Sequence, residues 1–370
     1  MLALAGCGRR ETQAEAGIRT QTLILGNGSE PASLDPHIVN LFNDQRIILA
    51  LFEGLTAIDE KTSQAVPAVA ERWVIAPDGL VYTFYLRANA RWSNGDPVTA
   101  HDFAFSFQRI LLPTLGARPA YMLWPIKNAE AFNGGKITDF TAVGVEALDN
   151  RTLRLTLERP TPYLPVLAAV SMWCPVHRAT LEKFGPIDDR TSPWTRPGNL
   201  VGNGPFTLAE WRPNDRIVVT KNPLYWNAAR TRLNQVVFFP TESPEVEERN
   251  FRAGQVHLTN GIPTTKIPPY RERAADELRI DPFLYVNYLN FNVAKPPLDN
   301  PKVRRALALA IDRDSIARRV LNGSRLPAAH YTPPGCGGYT ARARVPDGFR
   351  RRAPPSGRGR VSRRARFVGG

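Results

Sequence analysis

The sequence predicts an α/β protein with several mixed sheets, and three observations carry that expectation. Strand-like alternation recurs at Leu80–Leu86, Thr152–Leu157 and Arg216–Thr220. Helical spacing of apolar residues recurs after Thr99 and after Asn300. The two patterns mix irregularly, with no strict strand–helix–strand repeat and no internal repeat, which points to mixed rather than purely parallel sheets.

Taken in chain order, Leu23-Ile-Leu25 is a short apolar strand running into Gly26-Asn-Gly28. Pro31 stands where the third glycine of a dinucleotide fingerprint would fall, so a turn is expected there and not a nucleotide site. Asp78-Gly79 and Asn94-Gly95 suit tight turns at strand ends. Trp73 and Trp92 beside them are expected to pack as core. Thr99 with Asp102 makes a capping-box-like pair, and Phe103, Phe107, Ile110 and Leu111 then fall on one helical face. Near the far end a helix opens at Asn300-Pro301, with Pro at its first position. Asp312 restarts it and Gly323 ends the second helix. A strand is expected near Tyr285–Asn292.

Composition narrows the function class. The 370 residues are 43% hydrophobic and 22% charged, ordinary for a globular chain long enough for two domains. No run of eighteen apolar residues occurs, so no helical membrane span is expected. The net charge of +14 suggests nucleic acid until its location is considered. Eight Arg against one acid, Asp347, place +7 in residues 347–370, and the body is only mildly basic. That tail has no Leu, Ile, Met, Trp, Lys or Glu and no helical or strand period, so disorder is expected. An RNA-binding arm is one explanation of it. GC-rich coding sequence out of frame is the simpler one.

Cysteine usage is sparse and odd: Cys7, Cys174 and Cys336. A disulfide framework is not expected, and nothing in the sequence supports a Cys174–Cys336 bridge. Leu4-Ala5-Gly6-Cys7 resembles the lipobox of bacterial lipoproteins, which makes Cys7 the expected lipidation site. The basic start and most of the apolar run of a signal are missing, and Arg9–Gly17 is expected to be a flexible tether.

No catalytic constellation emerges. The five His (37, 101, 177, 257 and 330) are far apart and lack metal-ligand spacing. No GxSxG elbow is present, and no Cys/His arrangement is promoted by spacing. Aromatic residues are dense in loops instead: Tyr121, Trp124, Trp173, Trp194, Tyr225-Trp226, Tyr285 and Tyr288. Most are expected to pack under loops, although clefts for extended ligands use such residues too.

A colinear series of blocks resembles the family 5 bacterial extracellular solute-binding proteins, the oligopeptide, dipeptide and nickel receptors of ABC importers. The blocks are Ser33-Leu-Asp-Pro-His37, Leu51-Phe-Glu-Gly-Leu55, Pro67–Trp73, Tyr82–Arg87, Trp92–Ala100 with Asp102-Phe103, Asn203-Gly-Pro-Phe206, Tyr225-Trp-Asn227, Phe251–Gly254, and Val303–Leu307 with Ile311-Asp-Arg313. They run from about Leu23 to about Pro346. Pro125–Ala129 and Trp194–Asn199 are most similar to the oligopeptide-binding branch.

The resemblance implies an α/β, periplasmic-binding-protein-like two-lobed fold, type II and cluster C-like, with mixed sheets and the second lobe largely missing. It implies a first lobe over 23–54 plus 179–282 and an intermediate domain over 55–178. The second lobe would start at 283–346, after a signal and tether at 1–22 and before an out-of-frame tail at 347–370. The two lobes would close on an extended peptide by a hinge, its main chain pairing much as an added strand does.

The implied substrate-binding residues are Asn40, Leu41 and Phe42 along the peptide backbone, with Asn260, Tyr288 and Asn290 in side-chain pockets. Tyr121 is implied as a substitute for a cleft tyrosine, from a shifted position, with simple core packing as the alternative. The implied protein is a monomer in the periplasm or cell envelope that hands oligopeptides to an inner-membrane ABC permease with its ATPase subunits. It would be tethered through lipidated Cys7, with no cofactor, no metal and no nucleic acid. A dipeptide or nickel-complex binder stays open, as more remotely do a nucleic-acid binder and a metal-free hydrolase. With the second lobe missing, the chain as written is expected to be poorly soluble and to hold no peptide measurably.

Overall fold

The computed structural model describes residues 10–39, 41–281, 283, 285–333, 339 and 341. Cys7, Asn40, Cys336 and the tail at 347–370 lie outside the described residues, as does the Phe42 side chain. The chain divides into two compact units, Met1–Gly261 and Ile262–Gly370.

The first unit opens with α1 (Gln13–Thr20) and β1 (Thr22–Gly26), followed by α2 (Phe42–Leu51), β2 (Thr56–Ile58) and β3 (Ala65–Pro67). Next come β4 (Ala70–Ile75), β5 (Val81–Leu86), α3 (Ala100–Leu111), α4 (Ala129–Asn133), β6 (Val145–Asp149), β7 (Thr152–Thr156), α5 (Leu164–Leu167) and α6 (Arg178–Lys183). It closes with β8 (Phe206–Arg212), β9 (Arg216–Lys221), β10 (Gln235–Phe239) and α7 (Pro244–Arg252). One sheet runs β1-β10-β9-β8, with β1 parallel to β10 and the other pairs antiparallel. A second, wholly antiparallel sheet runs β4-β5-β7-β6. Mixed strand pairing was the expectation, and the first sheet has it.

Alternation explains which faces pack. In β5 the side chains of Tyr82, Phe84 and Leu86 are buried while their neighbours are only half-buried, and β7 does the same with Leu153 and Leu155. α3 starts on a full capping box, Thr99 with Asp102, and turns Phe103, Phe107, Ile110 and Leu111 inward. One buried cluster runs from Leu25 through Trp92, Phe103 and Trp173 to Phe238, so both sheets share a core. Each fully buried large apolar side chain contributes about 1.5–3 kcal/mol. Trp92 is fully buried as expected, whereas Trp73 is only partly buried and packs on Phe84 at the core's edge.

Two local expectations need correction. The polar stretch after Arg9 is not a flexible tether from Gln13 onward. Thr12 and Glu15 cap α1 reciprocally, the Ala14 amide donates to Gly254 O at 2.8 Å, and His257 bonds Ala14 O at 2.9 Å. A polar composition does not preclude a helix that is capped and docked. The strand expected near Tyr285–Asn292 is not formed among the described residues there. A strand exists only where a neighbour completes its ladder, and no sheet includes this stretch. In the second unit α8 (Ile267–Arg273), α9 (Pro301–Ala310) and α10 (Arg313–Ser315) do form, α10 running into a wide turn at Ile316–Val320. Asn300 caps α9, Asp312 caps α10, and Arg271 bonds the carbonyls of Asn322 and Gly323 just past the last turn. Among the described residues no helix is long and apolar enough to cross a membrane.

A polar cluster inside the first unit's core ties distant loops together. Arg109, at the end of α3, is fully buried and spends its donors on two loops. Nη1 and Nη2 grip Asp35 at 3.0 and 2.6 Å, Nη1 also reaches His37 Nδ1 at 2.9 Å, and Nε donates to Ile187 O at 2.6 Å. His37 Nδ1 must therefore accept, leaving Nε2 to donate to Cys174 O at 3.2 Å. Burial first, and then the guanidinium, hold the imidazole down at about 4. Because the unfolded chain binds a proton near 6.5, His37 stabilises the fold fully above that pH and progressively less as pH falls towards 4. Urea titrations should show the wild type losing about 3 kcal/mol between about pH 6.5 and 4 relative to a His37→Asn variant. Parallel pH profiles for the two proteins would show that the imidazole is not held neutral.

Candidate functional site

The parallel pair β1–β10 brings two carboxyl strand ends to one side of the sheet, the place where open α/β sheets expose ligand sites. Just past β1, Asn27 is buried and donates from Nδ2 to Asn43 O at 3.0 Å. Its Oδ1 has no partner among the described residues. Gly28 follows at φ +73°, and a Cβ there would meet Asn43 Nδ2 at 2.6 Å and Asn260 Nδ2 at 3.0 Å. The left-handed backbone favours glycine here, and two side-chain amides close on the same spot. Asn43 Nδ2 donates onward to Ser29 Oγ at 3.3 Å.

Glu247 on α7 organises the third side. Its Oε2 accepts from the amides of Asn260 at 2.8 Å and Gly261 at 3.2 Å. Burial pushes this carboxyl up, and those backbone amides pull it back. A Cβ on Gly26 would meet Glu247 Oε1 at 2.1 Å, so the strand end and the carboxylate need each other's shape. The result is a rim of carboxamides: Asn27, Asn43 and Asn260 around the 27–29 turn.

Beside the rim, under the first turn of α2, lies a cavity of about 470 Å³. It is lined by residues 32, 33, 38, 39 and 41 from the segment before α2, by residues 190–192, 195 and 196, by Trp211, and by Asp44. The fork of Arg109 holds both walls at their roots, through Asp35 and His37 on one side and Ile187 on the other. Leu41 is 52% exposed and is the N-cap of α2, with no side-chain cap of its own.

Of the residues implied by sequence, Leu41 and Asn260 come to this region, and Asn260 is exposed. Asn40 and the Phe42 side chain lie outside the described positions. Tyr121 takes no part in these contacts: it is 58% exposed on the turn Arg118–Leu123 and packs edge-on against Trp124. Tyr288 and Asn290 are exposed residues of the second unit, where Tyr288 packs against Tyr331 with ring centroids 5.0 Å apart. The sequence pattern does not single out Asn27, Asn43, Asp44 or Glu247. Asn27 lies inside the Gly-Asn-Gly turn, whose punctuation is the available signal. The other three acquire meaning only from contacts made in the fold.

One catalytic-looking arrangement does form. Thr180 Oγ1, His177 Nδ1, His177 Nε2 and Asp96 Oδ2 are linked at 2.8 and 3.1 Å. Thr180 and His177 are each 8% exposed, and Trp92 packs on the imidazole at 5.2 Å. The hydroxyl is buried, and the linkage ties the start of α6 to Asp96. Among the described residues no group of His, Cys, Asp and Glu is placed to hold a metal. Cys174 is buried and free, its thiol pushed up by burial.

Gly28→Ala tests the rim. The left-handed backbone alone costs about 1–2 kcal/mol, and displacement of Asn43 and Asn260 adds to it. Thermal and urea unfolding should register a loss of at least about 1 kcal/mol, with the Asn260 side-chain amide resonances shifted in NMR spectra. An unshifted Asn260 would show that the rim is not packed around Gly28.

Known proteins share this fold. Residues 64–351 match the sequence profile described as bacterial extracellular solute-binding proteins, family 5 Middle. The periplasmic oligopeptide-binding protein OppA of Salmonella typhimurium is 40% identical over 317 residues, 85% of this chain and 57% of that protein. The probable deoxycholate-binding periplasmic protein YgiS of Escherichia coli is 40% identical over 323 residues, 87% of this chain and 58% of that protein. The solved murein tripeptide binding protein MppA of Escherichia coli superposes with a TM-score of 0.80 at 35% identity, over 86% of this chain and 61% of that one. The chain thus spans under two thirds of the length of these relatives.

Proposed function

The chain belongs to the family 5 bacterial extracellular solute-binding proteins, and from that membership we propose that it is the substrate-binding component of a peptide ABC importer, capturing oligopeptides outside the cytoplasm. The observation that carries this reading is the family match together with 40% identity to an oligopeptide-binding relative along 85% of the chain. The carboxamide rim suits such a ligand. Side-chain amides offer a donor and an acceptor each, which is what an extended peptide main chain requires.

In this reading Asn40, Leu41 and Phe42 line the peptide backbone, Asn260, Tyr288 and Asn290 line side-chain pockets, and Tyr121 stands in for a cleft tyrosine. The first lobe comprises 23–54 and 179–282, with 55–178 inserted as an intermediate domain. The protein works in the periplasm or envelope as a monomer, is tethered through a lipid on Cys7, and delivers its ligand to a membrane permease and its ATPase subunits. It performs no chemistry on the peptide, the task being capture and release.

A second reading has its own support, since the relative named for deoxycholate is equally similar at 40% identity. It would make the ligand an amphipathic carboxylate rather than a peptide. Native mass spectrometry of protein purified without denaturation, followed by calorimetry with tri-alanine and with deoxycholate, separates the two. For a protein with both lobes present, the peptide reading predicts retained, uncleaved peptides and tri-alanine binding on the order of micromolar, and for the chain as written no measurable peptide. Binding of deoxycholate alone would favour the second reading, and cleavage of the peptides would end both.

A further inference from the structure

We propose that the cavity beneath the first turn of α2 is a pocket for an aliphatic ammonium group, with Asp44 as its counter-ion. The proposal deepens the peptide reading and rests on it for one point only, that the ammonium is carried by a lysine-like side chain of the bound peptide.

Asp44 carries the argument. It is 1% exposed, yet it lines a cavity of about 470 Å³, room for far more than a water or two. Its Oδ1 has no hydrogen-bond partner among the described residues. Burial works against its charge and raises it to about 6, and the group that offsets burial is the Leu41 amide at the start of the same helix. At neutral pH it is therefore a buried carboxylate with one oxygen bare. Buried charges are ordinarily paired or bound to a cation.

The guanidiniums in the cavity wall are engaged elsewhere. Arg190 Nη1 points to the carbonyls of Leu115 and Gly116 at 3.5 and 3.4 Å, and Arg196 lies over the Trp211 ring at 4.7 Å. Ser192 Oγ, also in the wall, is a second buried oxygen without a partner among the described residues. Ile38, Val39 and Ala32 supply apolar surface along the way. Two residues with unpaired oxygens in the lining of a partly apolar cavity match an ammonium on a methylene stem. Such a group has three rotatable donors and a compact charge, whereas a guanidinium wants both oxygens of one carboxylate. An anionic ligand would face the Asp44 charge.

The test uses the chain as it stands, with n-butylammonium and 1-butanol as probes of equal length in ligand-observed and carboxyl ¹³C NMR titrations. The expected result is at least tenfold tighter binding of n-butylammonium, with the Asp44 carboxyl resonance shifting on titration. Asp44→Asn should erase the difference, and Ser192→Ala should weaken the ammonium severalfold. Equal affinities in the wild type would overturn the proposal and mark the cavity as a water-filled void, whatever the variants do. A second arm, on a protein with both lobes present, compares Ala-Lys-Ala with Ala-norleucine-Ala. Preference for the lysine peptide identifies the source as a bound peptide. Equal peptide binding overturns the peptide assignment while leaving the receptor reading intact. Ammonium binding without any peptide binding keeps the pocket, assigns it to a free amine, and overturns the peptide assignment.

Discussion

The guanidinium of Arg109 carries its charge where water does not reach, and the region around the cavity is arranged to satisfy it. Each of its bonds goes to a segment distant in sequence: Asp35 and His37 in the turn after β1, and Ile187 in the segment leading to residues 190–196. Asp35 does double duty, since its carboxylate also accepts the His37 amide at 2.9 Å and so shapes the turn that it anchors. A buried ion pair adds little net stability over an apolar replacement, but removing one member costs about 3–5 kcal/mol. The constraint is therefore geometric: two loops that face the cavity cannot drift apart without stranding a charge.

A second polar node ties the sequence blocks of the family into one place. Glu53 accepts from Tyr225 Oη and from Trp226 Nε1, while Asn203 bonds its backbone at both N–H and C=O at 2.9 Å. Arg87 lies over the Trp226 ring at 3.8 Å and donates to Ala68 O. Burial pushes the Glu53 carboxyl up to about 7 against those donors. Residues from four separate blocks, 51–55, 82–87, 203–206 and 225–227, thus meet around one carboxylate. Their colinear signature reports fold construction.

Sequence and structure agree where the determinants are local. The box of Thr99 with Asp102, the alternation of β5 and β7, and the Asn300-Pro301 start each depend on residues a few positions apart. Agreement fails where a distant partner decides. Gln13–Thr20 is polar enough to suggest a tether, yet docking on Gly254 and His257 makes it a helix. Tyr285–Asn292 has the pattern of a strand, but the pattern does not supply a neighbour. The site was legible only in part for the same reason. Leu41 and Asn260 came through resemblance, whereas Asp44 is one acid among 34 until burial and a bare oxygen single it out. Arg109 was equally hidden, its side-chain partners His37 and Asp35 lying 72 and 74 residues away.

The dependence of both cavity walls on one side chain can be measured segment by segment. Amide hydrogen exchange resolves local opening from global unfolding, so the wild type and an Arg109→Lys variant can be compared under native conditions. Lysine keeps the charge but cannot reach Asp35, His37 and Ile187 together. The account predicts that residues 32–39 and 187–196 lose protection together in the variant, while β5 and β7 keep theirs. Protection unchanged in either wall, or lost evenly across the whole unit, would contradict the claim that the Arg109 fork holds the site.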